Sequence, residues 1–105
     1  MLKNDRYVLD ENEQPVECPV LEDWLRWIEH RDTQVEKTQI NDDVFVSTIF
    51  LTINHRHAGD GPPIVFETMV FGGKLDGVQK RYCTVEDARK GHWDTVELAK
   101  YQEAK

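Results

Sequence analysis

A chain of 105 residues with 39% apolar and 31% charged side chains is long enough for one core and too short for two, so residues 1–105 are expected to form a single domain. The net charge of −7 resides wholly in residues 1–50, which hold 5 Lys+Arg against 12 Asp+Glu, whereas residues 51–105 hold 8 of each. That balance argues against nucleic-acid binding, which needs a basic face to displace phosphate counterions. No apolar run approaches the ~20 residues of a membrane span.

The opening "MLKNDRYVLDENEQ" lacks the apolar centre of a signal peptide. Two cysteines, Cys18 and Cys83, are too few for a disulfide framework, and both features point to a reducing, intracellular setting. Along the chain, "RYVLD" (6–10) and "QPVEC" (14–18) read as a short hairpin around "ENEQ". "PVLEDWLRWIEHR" (19–31) reads as an amphipathic helix: Leu21, Trp24, Leu25 and Ile28 fall at i, i+3, i+4 and i+7. Glu22 and Asp23 lie near its positive start, and His30 and Arg31 near its negative end.

The middle of the chain reads as β. "QVEKTQI" (34–40) is a strand and "NDD" (41–43) a tight turn; "VFVSTIFLTIN" (44–54) is a strand rich in Val, Ile, Thr and Phe. "HRHAGDGPP" (55–63) is a loop, "IVFETMVF" (64–71) a second strong strand, and "GGKLDG" (72–77) turns into "VQKRYC" (78–83). "TVEDARKGHWDTVELAKYQEA" (84–104) closes the chain as a helix, with Thr84 and Asp87 placed as in a capping box and with Val85, Ala88, His92, Val96 and Ala99 on one face. Gly91 inside that helix allows a close approach to the sheet. The expected fold is α+β: an antiparallel meander of about four strands, two helices on one face, and a short N-terminal hairpin.

Glu67 stands alone among apolar residues in "IVFETMVF", and alternation decides which way it points. If His55 pairs near Ile64, then Phe45, Ser47, Ile49, Leu51 and Ile53 line up with Phe66, and this more apolar face takes the helices. The opposite face then carries Thr48, Phe50, Thr52 and Asn54 beside Val65, Glu67, Met69 and Phe71. A one-residue slip reverses the assignment. That mixed face, continued by His55, Arg56 and His57, is the expected binding surface, for a protein target or for a second copy of the chain.

Chemistry has few footholds. His55 and His57, with Glu67 or Asp60 and His92, are weak candidates for a metal site, because a metal needs several ligands converging with fixed geometry. No GxxxxGK[ST] or GxGxxG pattern and no nucleophile elbow occurs, so no cofactor and no catalytic residue are expected. His92, on the apolar face of its helix, reads as a hydrogen-bonded core residue.

Three stretches together, "VSTIFLTINH" (46–55), "GPPIVFETMVFGG" (61–73) and "RYCTVEDARKGH" (81–92), resemble a family of small uncharacterised proteins encoded by bacteriophages and prophages. The opening "YVLD…PVEC…LEDWLRWIE" is similar too, so the resemblance spans most of the chain. The chain departs from it at Asn54, which precedes His55, and at Cys83, where serine is usual. The resemblance implies a phage origin and a setting in the host cytoplasm, and no chemistry. The expected function is that of a non-catalytic accessory protein that binds a host or anti-phage defence protein through the mixed face or the acidic first half. The alternatives are a small-ligand or nucleotide sequestering protein that uses Arg56 and Arg81, a metal-dependent enzyme that uses His55, His57 and Glu67, and a minor virion component.

Overall fold

The computed structural model describes residues 4–56 and 59–105. Asp10 closes the first turn, its Oδ1 accepting from the amides of Asn12 and Gln14 at 2.8 and 2.9 Å. The turn joins β1 (Tyr7–Leu9) to β2 (Pro15–Glu17) as an antiparallel pair. α1 follows at Leu21–His30, two residues later than its proline suggests; Val20 is its N-cap and makes no side-chain cap bond. Such a helix depends on packing more than on local signals.

β3 (Gln34–Asn41) and β4 (Val44–Phe50) form a tight hairpin in which Asn41 Oδ1 accepts from the Asp43 amide at 2.8 Å. β5 (Phe66–Phe71) and β6 (Gln79–Tyr82) complete an antiparallel meander in the order β3-β4-β5-β6. Between β5 and β6, Gly72 has φ +84°, and a Cβ there would collide with the Asp43 carbonyl, so glycine is required at that turn. α2 (Val85–Glu103) starts as expected, with Thr84 Oγ1 accepting from the Asp87 amide at 3.1 Å.

The fold is thus the expected α+β arrangement of two helices, a four-stranded antiparallel sheet and an N-terminal hairpin. α2 lies on one face of the sheet and buries Val85, Ala88, His92, Val96 and Ala99, the five positions its periodicity assigned to the core. α1 reaches the same side through Trp27, whose ring meets Phe50 edge-on at 5.6 Å. No helix among the described residues is long and apolar enough to cross a membrane.

One expectation is reversed. The covered face of β4 is Val44, Val46, Thr48 and Phe50, all buried, not Phe45, Ser47 and Ile49. On β5 the expected positions Phe66, Thr68 and Val70 are buried, but Val65, expected on the opposite face, is buried too, in the same core cluster as Phe50 and Phe66. The reason lies just past the strand. Leu51 donates to Val65 at 2.6 Å and His55 donates to Ile64 at 2.8 Å, so four steps along one chain match one step along the other. The pairing of His55 with Ile64 is as anticipated, but residues 52–54 are looped out between the two bonds. Thr52, at φ 66°, makes the break. Three extra residues are an odd number, so every side chain of β4 changes sides relative to an unbroken strand. Phe50 therefore faces Phe66, and Glu67 faces Ile49 rather than Thr52.

The core beneath α2 comes in two apolar clusters, one around Phe50, Phe66 and Val65 and the other around Val46, Val70 and Val96. Polar side chains also lie fully buried in this layer. His92 bonds Thr48 Oγ1 through Nδ1 and Thr38 Oγ1 through Nε2, each at 2.8 Å. Thr48 in turn bonds Thr68. Burial holds the His92 imidazole below its ordinary pKa, and the Glu36 carboxylate opposes that shift only in part.

Candidate functional site

The sheet face opposite α2 is the candidate site, and no described element covers it. Cross-strand register sets its rows. Gln34, Ile49, Glu67 and Arg81 form one; Lys37, Ser47, Met69 and Gln79 the next; Gln39, Phe45 and Phe71 the third. Phe45 and Phe71 stack with centroids 4.8 Å apart and planes 15° from parallel. Phe71 is 40% exposed, and Lys37 Nζ lies 4.5 Å from the Phe45 ring centroid. The face offers an aromatic pair, a methionine and an isoleucine inside a polar margin.

Glu67 lies in this face, as its alternation with Met69 and Phe71 suggests. Its Oε2 accepts from Arg81 Nε at 2.9 Å, and its side chain is only 12% exposed. The charge is answered by a neighbour on the adjacent strand, which ties β5 to β6.

The other expected site residues divide. Thr48 and Phe50 leave the surface, since both are buried under α2. Thr52 makes the break after β4, and its carbonyl accepts from the Tyr7 amide at 2.9 Å and from Trp24 Nε1 at 3.2 Å. Asn54 clasps the loop: its Oδ1 accepts from the Arg56 and Ile64 amides, both at 2.9 Å. Replacing Asn54 by alanine removes one acceptor from two amides. A loss of about 1–2 kcal/mol in urea unfolding is expected, with faster amide exchange at Arg56 and Ile64; an unchanged midpoint would show that water serves these amides equally well.

His55 donates from Nδ1 to the Ile53 carbonyl at 2.8 Å, and Arg56 Nε donates to the Pro62 carbonyl at 2.8 Å. Both are thus engaged within the loop, while Arg81 Nε is engaged by Glu67. His57 lies outside the described residues. Among the described residues no three His, Cys, Asp or Glu side chains converge to hold a metal ion.

Phe45, Ser47 and Ile49 are the site residues that alternation assigned to the wrong face. The signal that would have placed them is the "TIN" at 52–54: Asn54 can clasp backbone amides from a loop but would sit idle in an open strand. No family model matches the chain, and neither a curated protein nor a solved structure does.

Proposed function

We propose that the chain is a non-catalytic binding protein that uses its open sheet face to cover a surface of a protein target. The observation that carries this reading is the stacked Phe45–Phe71 pair with Met69 and Ile49, an apolar centre left uncovered on a rigid sheet. Aromatic and methionine side chains inside a polar margin are the composition of protein-binding patches. The resemblance of "GPPIVFETMVFGG" to small phage-encoded proteins favours a phage accessory protein at work in the host cytoplasm, with a host or defence protein as target.

Pull-down from host lysate tests this. Wild type is expected to retain a specific protein, and Phe45→Ser/Phe71→Asp to lose at least tenfold of it. Both positions are on the uncovered face, so the urea midpoint of the double variant should stay close to wild type. Equal recovery by the two proteins would remove the open face from the function, and self-association lost in the same variant would make the target a second copy.

A further inference from the structure

α1 is held to the rest of the fold far less firmly than α2. None of its ten residues is buried, against seven of the nineteen in α2. Its backbone lies close only to β1 among the named elements, whereas α2 lies against all four strands of the sheet. Val20 caps α1 without a side-chain bond, while the Thr84 hydroxyl caps α2. Among the described residues, one hydrogen bond ties a side chain of α1 to another part of the chain, from Trp24 Nε1 to the Thr52 carbonyl at 3.2 Å. Trp27, edge-on to Phe50, is its contact with the buried core. A helix of ten residues is marginal in water on its own, so α1 stands only while these two indoles are seated.

The chain is pinned on both sides of α1. Before it, the Cys18 amide donates to the Arg6 carbonyl at 2.9 Å and Arg6 Nη2 donates to the Pro19 carbonyl at 2.6 Å. After it, the Phe50 amide donates to the Thr33 carbonyl at 2.9 Å. Residues 20–32 can therefore come away without pulling on the hairpin or on β3. We infer that α1 is a strap that undocks as a unit while the hairpin, the sheet and α2 stay folded. In the open form Trp24 and Trp27 leave their seats, the helix melts, and the Phe50 ring is bared where Trp27 covered it. Openings of this kind lie below the free energy of global unfolding wherever buried contacts are few. The strap gives the fold a second state, with an apolar surface that the closed form hides. α1 lies on the covered side of the sheet, so this holds whether or not the open face binds a target.

Native-state amide exchange on the full-length protein tests this. The amides of Leu25, Arg26 and Ile28 are expected to be protected, yet about a hundredfold less than those of Val96 and Ala99 in α2. Their exchange should depend only weakly on urea, because opening a strap exposes little surface. Arg26 is 71% exposed and its ion pair is with Asp23 of the same helix, so Arg26→Gly weakens the helix without touching the core. It should speed exchange throughout α1 by about fivefold and leave Val96 and Ala99 unchanged. Trp24→Phe, which removes the bond to Thr52, should also speed α1 by about fivefold. Equal protection of the two helices, or an Arg26→Gly that speeds both alike, overturns the inference, because α1 then opens only with the whole protein. So does an α1 with no protection, which has no closed state, or an α1 whose exchange neither variant changes.

Discussion

Replacing His92 by alanine is expected to lower the unfolding free energy by about 3–5 kcal/mol, a large share of the ~5–15 kcal/mol that holds a domain of this size. Two losses combine. The imidazole is fully buried between α2 and the sheet, so truncation opens a cavity that α2 cannot close without disturbing Val96 and Ala88. Thr38 also loses its Nε2 partner, and Thr48 keeps only its bond to Thr68. His92→Gln refills part of the space with a donor and an acceptor and is expected to recover part of the loss. The pH profile supplies a second reading of the same residue. Because burial depresses the folded pKa of His92, the unfolded chain binds more protons between that value and about 6.5. The histidine's contribution is therefore complete above about pH 6.5 and is lost as pH falls towards the depressed folded value. Urea midpoints from pH 8 to 5 should show this decline in wild type and a shallower one in His92→Ala. An alanine variant within about 1 kcal/mol of wild type would mean that the threonine–histidine network is replaceable packing.

Gly91→Ala is expected to destabilise the protein by about 2 kcal/mol, against the helix propensity that favours alanine by about 1 kcal/mol. The Gly91 Cα rides directly over the Tyr82 ring, and an added Cβ would overlap its hydroxyl and two ring carbons. Tyr82 packs on the Phe50–Phe66 cluster and stands opposite Phe66 in the sheet, so the ring cannot swing away without uncovering that cluster. Its hydroxyl is buried and has no hydrogen-bond partner among the described residues. Tyr82→Phe should therefore cost little alone and should not rescue Gly91→Ala, because ring carbons remain in the way. Tyr82→Leu should cost stability in the glycine background yet make the alanine substitution close to neutral, and thermal unfolding of the four proteins closes that cycle. A stabilised Gly91→Ala would show that propensity outweighs the contact.

What could be read in the sequence and what could not differ for a physical reason. α2 was legible because five buried positions repeat at the helical period and Thr84 marks its start. The strands were legible from runs of Val, Ile, Thr and Phe, and their order follows from short connections. The two-sidedness of the sheet was legible too, and so was the place of Glu67, Met69 and Phe71 on its uncovered side. The partner strand was misassigned because face identity is a parity, and parity passes through every residue between the strands. A single threonine in the left-handed region, which β-branched side chains seldom adopt, inverted it without changing the composition. Arg81 was visible as a cation, but its bond to Glu67 depends on a register that only the folded sheet shows.

The break at Thr52 also joins two parts of the molecule that the sheet would otherwise leave apart. Its carbonyl, turned out of the ladder, is the shared anchor of the β1–β2 hairpin, through Tyr7, and of α1, through Trp24. The hairpin and α1 thus meet at one backbone oxygen, with the Asn54–Asp5 and Arg6–Ile53 pairings close beside it, and they are held further by Tyr7 in the core cluster, by Trp27 against Phe50 and by the Glu13–Arg89 ion pair to α2. A change in the backbone at Thr52 would therefore be felt in three elements at once: the end of β4, the hairpin and α1.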